Sequence, residues 1–119
     1  MNSKYKYEMT KEEDVKYVWV NQCNAKVRKQ TPVYSGFIKY FPNAIKEVSK
    51  LSLIANKQHH PGTPLHWDME KSKDELDACI RHLIDHASGI EIDEDGVRHL
   101  TKCAWRMMAM LERTLTDKF

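Results

Sequence analysis

The sequence predicts an all-α fold, a small bundle of helices, and three observations carry this prediction. Apolar residues recur every three or four positions in three segments, near 42–57, 72–88 and 95–115. Turn dipeptides and helix-ending signals separate these segments. The last two segments flank a short acidic turn, so that Asp74 to Leu111 reads as one helical hairpin. We expect the rest of the chain to pack around this hairpin.

Length and charge limit the class of protein. The 119 residues fit a single domain, 1–119. The net charge of +2, from 19 basic and 17 acidic residues, argues against a duplex nucleic-acid binder, which usually carries a strongly basic face. Apolar runs are too short for a membrane span or a signal peptide. Three cysteines without a CxxC pair are typical of reduced cysteines in a cytoplasmic protein.

The N-terminal part allows two interpretations. Thr10 followed by Glu13 is a capping-box pattern, which predicts a helix over 11–29. The β-prone run at 17–20 equally favours a strand. Residues 31–40 then form a connector. The bundle is therefore expected to contain three helices, plus a fourth at the N-terminus if the first interpretation holds.

The first long helix begins at Pro42, because proline suits the first helical position, where its missing N–H costs nothing. Residues 58–69, rich in histidine and containing Trp67, follow as a loop. We expect the inward stripe of this helix to contain Ala44, Ile45, Val48, Leu51 or Ser52, and Ala55.

The hairpin carries its own boundary signals. Ser72 with Glu75 is a second capping box, Gly89 can end the first arm in a left-handed conformation, and Asp93 or Asp95 can cap the second. The predicted inward stripes are Leu76, Cys79 or Ile80, Leu83 and Ala87 in the first arm, and Val97, Leu100, Ala104, Met107 and Leu111 in the second. Three helices bury too little apolar surface alone, so we expect oligomerisation to complete the bundle.

Two carboxylates lie beside apolar stripes, and such a group needs a partner when it is buried. Asp77 adjoins Leu76, and Glu47 adjoins Val48. If these two helices pack antiparallel, both carboxylates face one seam, a common way to build a metal site in a bundle, and oxygen ligands suit Mg²⁺ or Mn²⁺. The alternative for Asp77 is a solvated ion pair with Arg81, one helical turn away.

Two histidines on the hairpin are candidates for chemistry. His82 and His99 each lie beside an apolar position, on consecutive helices joined by the acidic turn. A histidine there is either a hydrogen-bonded residue at the edge of the core or a group that binds phosphate or moves a proton. Lys57 is positioned to meet a phosphate, and Trp67 either stacks on a base or plugs the end of the bundle.

Several strings are similar to one family: PNAIKEVSKLSLIANK, Trp67, DACIRHL, a glycine with an acidic turn, and HLTKCAWRMMAMLE. Together they resemble the phage-associated dATP/dGTP diphosphohydrolase N-terminal domain family over 36–112, with 1–35 as an extension outside the match. The resemblance implies an all-α protein like the MazG-type nucleotide pyrophosphohydrolases. These enzymes use divalent metal to cut a nucleoside triphosphate into monophosphate and pyrophosphate.

Carried onto this chain by position, the resemblance covers six residues: Glu47, Asp77, Arg81, His82, Asp93 and His99. Together with Lys57 and Trp67 they form the expected site. Metal ligands are Glu47, Asp77 and Asp93; phosphate or base contacts come from Lys57, Arg81 and Trp67; acid–base or orienting roles belong to His82 and His99. The resemblance also implies that the protein is a homo-oligomer, encoded by a phage and acting in the cytoplasm of the host cell. However, lysines replace two of the three carboxylates that the MazG-type pattern has in the helix of Glu47. A degenerate module that binds nucleotide or a host protein is therefore the alternative.

Overall fold

The computed structural model describes residues 25–69 and 73–116, and these residues are helical apart from their connections. A π-helical turn, Tyr34–Ile38, lies between the first two helices. The prediction of an all-α fold is confirmed within the described ranges, which contain no named strand. The α-helices are α1 (Ala25–Lys29), α2 (Pro42–His59), α3 (Glu75–Ala87) and α4 (His99–Thr116).

The N-terminal helix predicted over 11–29 falls mostly outside the described residues. Only its last part is described, as the five-residue α1. The competing strand at 17–20 also lies outside the described residues. In contrast, α2 agrees closely with the predicted helix, because Pro42 occupies the first turn and the helix ends at His59.

The α3–α4 hairpin is the best-packed part of the described chain. Its helices approach at small side chains, since Ala78 is 1% exposed and Cys79 and Cys103 are 5% and 4% exposed. The two thiols lie 3.3 and 3.7 Å from the carbonyl oxygen of the opposite cysteine residue. Gly89, with φ of 91°, ends α3 in the predicted left-handed conformation.

The predicted inward stripes of the hairpin are mostly wrong. Of the α3 stripe only Cys79 is buried, whereas Leu76, Ile80 and Leu83 are 60%, 47% and 49% exposed. On α4, Leu100, Met107 and Leu111 are exposed as well. The physical reason is that α3 and α4 contact each other through small, polar and charged residues, which leaves the apolar stripes on the outer surface. The buried positions are Glu75, Ala78, Cys79, His99, Thr101, Cys103, Ala109 and Arg113.

The predicted caps of the hairpin also need correction. Helix α3 begins at Glu75, whose carboxylate is buried against the guanidinium of Arg113 instead of closing a capping box, and Ser72 lies outside the described residues. Neither predicted aspartate caps α4, which begins only at His99. Both instead stabilise the acidic turn: Asp93 accepts a hydrogen bond from the backbone N–H of Glu94, and Asp95 accepts one from that of Val97.

Helix α2 packs on α4, where the indole N–H of Trp105 donates a 3.0 Å hydrogen bond to the hydroxyl of Ser52. The loop after α2 folds back over this contact. It is held at one side by the Asn56 amide, which donates to the carbonyl of Thr63 at 3.1 Å, and at the other by Arg113, which donates to the carbonyl of Met69. None of the described helices is long and apolar enough to cross a membrane.

Candidate functional site

The hairpin brings two histidines and an aspartate together. His82 lies on α3, Asp93 in the acidic turn and His99 at the first position of α4. One potential ligand atom from each lies within 4.8 Å of the others. The two Nδ1 atoms of the histidines are 2.8 Å apart, and Asp93 Oδ2 lies 3.9 Å from Nδ1 of His82. We call these three residues the His–Asp–His cluster.

A second carboxylate orients the cluster from outside. Asp85 Oδ2 lies 3.7 Å from Nε2 of His99, whose side chain is only 3% exposed. A carboxylate on that side favours a proton on Nε2, which leaves the lone pair of Nδ1 directed toward His82. The 3.7 Å separation is an electrostatic contact and is longer than a hydrogen bond.

Lys102 connects the cluster to the acidic turn. Its ammonium group donates to Asp93 Oδ2 at 2.7 Å and to Asp95 Oδ2 at 2.8 Å. The hydrogen bond from Lys102 lowers the pKa of Asp93. Burial alone would lower the pKa of Lys102, but its bonds to the two aspartates outweigh this and raise it. Both partners of the Asp93–Lys102 pair are therefore charged at neutral pH.

His82 has the opposite tendency, because burial lowers its pKa, and the charge of Lys102 and the neighbouring His99 lower it further. The nearby Asp93 carboxylate acts in the opposite direction without reversing the shift. A histidine with a lowered pKa is neutral at pH 7 and has a free lone pair, the form that binds metal ions.

A cleft of about 630 Å³ opens beside the cluster, between α2, the loop after it and α4. Pockets of this size typically hold ligands as large as a nucleotide. His82 and Lys102 are among the residues that line the cleft. Trp67 and Trp105 also line it, and their rings pack edge to face with centres 5.5 Å apart. The other lining residues are Leu51, Ser52, Ala55, Asn56, Gln58, His59, His60, Leu65, His66, Asp68, Asp95 and Arg106.

This architecture agrees with a comparison against protein families. Residues 21–119 match the family described as dATP/dGTP diphosphohydrolase, N-terminal. The chain belongs to this family. Searches of curated proteins and of solved structures gave no significant match. The family resemblance in the sequence is thus confirmed, and its match begins before and ends after the stretch 36–112.

The structure brings only part of the predicted site together. His82, Asp93 and His99 form the cluster, and Trp67 lines the cleft. Lys57 and Arg81 are exposed, and neither is among the residues that line the cleft. The substrate roles of Lys57, Arg81 and Trp67 stay predictions.

The two remaining predicted metal ligands lie apart from the cluster. Glu47 is exposed and forms a 3.2 Å ion pair with Lys50, and Asp77 is exposed on α3. The expected seam between their helices is replaced by a different packing, in which α2 and α3 each pack mainly on α4. The assignment of Glu47 and Asp77 to metal binding stays a prediction.

Three side chains at the site, Lys102, Trp105 and Asn56, were not predicted from the sequence. Lys102 lies one turn after His99, and this i, i+3 spacing toward the acidic turn was a signal available in the sequence. Trp105 and Asn56 join the site only because α2 and the loop pack on α4, a tertiary contact that no local pattern predicts.

Proposed function

We propose that this protein is a metal-dependent diphosphohydrolase that cleaves a purine (deoxy)nucleoside triphosphate to the monophosphate and pyrophosphate. The carrying observation is that the His–Asp–His cluster lies at the edge of a cleft large enough for a nucleotide, since His82 belongs to both. Membership of the dATP/dGTP diphosphohydrolase family supports the substrate class. The same proposal places the enzyme in the cytoplasm, where its substrates occur.

The charges around the cluster favour a divalent cation. Asp85, Asp93 and Asp95 supply three carboxylates, while Lys102 and Arg106 supply two cationic groups, an excess of one negative charge. Two imidazoles with one carboxylate suit a first-row transition ion better than Mg²⁺, so of the two predicted ions we favour Mn²⁺. Such an ion would neutralise phosphate oxygens and increase the acidity of a bound water.

The side chains of the site would have different roles. Asp93, His82 and His99 would hold the ion, so that the two histidines act as ligands instead of the predicted acid–base groups. Asp85, with Oδ2 3.7 Å from Nε2 of His99, would favour the tautomer that leaves a lone pair on Nδ1. Lys102 also lines the cleft and would pair with a phosphate oxygen.

A second candidate is a family member that binds a nucleotide, or a host protein, without hydrolysis. The observation in its favour is the helix of Glu47, where lysines stand at positions that carry carboxylates in MazG-type enzymes. Glu47 itself is paired with Lys50 on the surface. Product analysis separates this candidate from the enzyme.

The test is to incubate the protein with each common dNTP and Mn²⁺ or Mg²⁺ and to separate the products by ion-pair chromatography. We expect dATP and dGTP to yield monophosphate and pyrophosphate. Asp93→Asn should abolish turnover and also the thermal stabilisation by Mn²⁺, which is about 2.7 kcal/mol at a hundredfold excess over Kd.

Asp77→Asn is the matched control, because it removes the same charge from an exposed position outside the cluster. We expect it to keep both the turnover and the Mn²⁺ stabilisation. An equal loss in both variants would return Asp77 to the ligand set and contradict the cluster assignment. Nucleotide binding without products would support the non-hydrolytic candidate.

A further inference from the structure

The cleft is lined by two kinds of side chain. Charged and titratable groups beside the cluster are His82, Asp95, Lys102 and Arg106. The edge-to-face pair of Trp67 and Trp105 also lines the cleft, and the Arg106 guanidinium carbon lies 5.9 Å from the centre of the Trp105 ring. A nucleotide combines the matching chemistry, a charged phosphate chain and a flat aromatic base.

Two of the lining residues, Asn56 and Trp67, also carry buried polar atoms that have no hydrogen-bond partner among the described residues. Asn56 is 6% exposed; its amide N–H donates to Thr63, but its Oδ1 has no partner among the described residues. The same holds for the indole N–H of Trp67. A buried polar atom without a partner lowers stability, so such atoms commonly mark a place where a ligand or water completes the hydrogen bonding.

We propose that Trp67, Trp105 and Asn56 form a purine pocket, which deepens the proposed function and rests on it. The indoles supply stacking surface to the base. The edge of a purine carries both donors and acceptors, so it can complement the Asn56 carbonyl and the Trp67 N–H after small side-chain rotations. The triphosphate then extends along the cleft toward His82 and Lys102, where the cation neutralises it.

The alternative is that the two tryptophans have only a structural role. The guanidinium carbon of Arg113 lies 5.9 Å from the centre of the Trp67 ring, and the indole N–H of Trp105 donates a hydrogen bond to Ser52. Both tryptophans therefore help to hold α4 to its neighbours. A structural role alone explains neither the unpartnered Asn56 oxygen nor the unpartnered Trp67 N–H. It predicts that base identity has no influence on these side chains.

The test is to record the indole N–H resonances by ¹⁵N–¹H NMR and to assign them with a Trp→Phe variant at each of the three tryptophans of the chain. The protein is titrated with deoxyadenosine, deoxyguanosine, thymidine and deoxyribose 5-phosphate in EDTA. Nucleosides carry no phosphate, so this binding does not need a metal. We expect saturable shifts of the Trp67 and Trp105 signals with the purine nucleosides and smaller ones with thymidine.

Kinetics provide the second readout. Trp67→Leu should raise KM for dATP about tenfold or more while kcat changes little, as expected for a lost base stack. Trp67→Phe, which keeps a ring and loses only the N–H, should have an intermediate effect. Asn56→Leu should reduce the preference for purine over pyrimidine triphosphates. Tyr40→Leu is the control, because it removes an exposed aromatic ring that does not line the cleft.

The outcomes separate this inference from the proposed function. Hydrolysis of dATP with unshifted indole signals and an unchanged KM in Trp67→Leu would overturn the purine pocket and leave the enzyme intact. Purine-dependent shifts without hydrolysis would support the pocket and refute the enzyme. Equal shifts with deoxyribose 5-phosphate and with nucleosides would also overturn the pocket.

Discussion

Glu75 and Arg113 form a buried ion pair that joins the first turn of α3 to the end of α4. Glu75 is 3% exposed and Arg113 is 8% exposed. Arg113 also donates to the carbonyl of Met69, and Arg106 lies 3.8 Å from the other Glu75 oxygen. Breaking such a pair from one side leaves a buried charge without its partner, which costs far more than breaking an exposed pair.

Arg113→Met should therefore lower the free energy of unfolding by about 3–5 kcal/mol. The double variant Glu75→Leu with Arg113→Met should recover much of that loss, because it removes both charges. Urea unfolding measures both values. Lys50→Ala, which breaks the exposed pair with Glu47, is the control and should cost no more than about 1 kcal/mol. A double variant no more stable than Arg113→Met would show that the pair is not the source of the loss.

The lowered pKa of His82 predicts the pH dependence of stability. Because the folded pKa lies below the ordinary value of 6.5, the unfolded chain takes up this proton first as pH falls. The stability that His82 contributes is complete above pH 6.5 and is lost as pH falls from there through the folded pKa. The metal-free protein should thus be less stable at about pH 5 than at about pH 7.5.

Chemical denaturation across this pH range, in EDTA, measures the effect. His82→Gln should reduce the slope of stability against pH, since the titrating group is gone. His59→Gln, at an exposed position outside the cluster, should leave the slope close to that of the wild-type protein. A slope unaffected by His82→Gln would assign the pH dependence to other groups.

At the scale of elements, Lys102 holds both aspartates of the acidic turn. Lys102 bonds Asp93 and Asp95 at once, and Gln58 on α2 donates to Asp95 at 3.3 Å. The turn is thereby tied both to α4 and to α2. However, the Asp93 oxygen that Lys102 holds is also the one that faces His82. Lys102 therefore holds an Asp93 oxygen that the proposed metal ion would need.

Lys102→Met should have two opposite effects. The unfolding free energy should fall by about 1 kcal/mol, because two aspartates lose their shared partner. Mn²⁺ affinity should rise about tenfold, because a positive charge beside the ion is removed, a repulsion of up to about 4 kcal/mol near a protein surface. Isothermal titration calorimetry measures the affinity, with the exposed Lys57→Met as the control. Weaker Mn²⁺ binding would instead mean that Lys102 is needed to position Asp93.

The elements also show how far the sequence determines the structure. Pro42, Gly89 and the helical spacing predicted the type and approximate limits of three helices, because caps, turns and periodicity are local properties. The inward faces of α3 and α4 were not predictable in this way. Periodicity identified the apolar stripe containing Ile80 and Met107, but the neighbouring helix packs on the face with Ala78 and Cys103. Burial of Glu75 depends on Arg113, 38 positions away, so no local rule could predict it.

The candidate site likewise contains residues that the sequence identified and residues that only the tertiary packing brings in. His82 and His99 were candidates because they lie beside apolar positions on consecutive helices joined by a short turn, whereas Asp93 was a candidate ligand only through the family resemblance. The seam between Glu47 and Asp77 required α2 to pack on α3, and the structure instead packs both on α4. Asn56 and Trp105 enter the site through that unforeseen packing.

For the whole molecule, the apolar surface left on the hairpin bears on assembly. Leu76 and Met107 are 60% and 61% exposed, and Ile80 and Leu111 are 47% and 52% exposed. Exposed apolar surface of this extent is typical of an interface. The expectation of a homo-oligomer is untested and stays a prediction.

Light scattering at micromolar concentration should give a mass above that of one chain. Met107→Glu should lower this mass, because a charge at an apolar interface is costly to desolvate. Tyr40→Lys, a change at an exposed aromatic outside α3 and α4, should leave the mass unchanged. A monomer mass for the wild-type protein would contradict the prediction.

The closeness of the cluster along the chain has a consequence for the order of folding. His82 and His99 are 17 positions apart, whereas the Ser52–Trp105 contact beside the cleft joins residues 53 positions apart. Closing a short loop costs less entropy than closing a long one, and local contacts form faster. The hairpin that carries the His–Asp–His cluster is thus expected to assemble before α2 docks. Under the proposed function, a partly folded chain would bind a cation before the proposed purine pocket has formed.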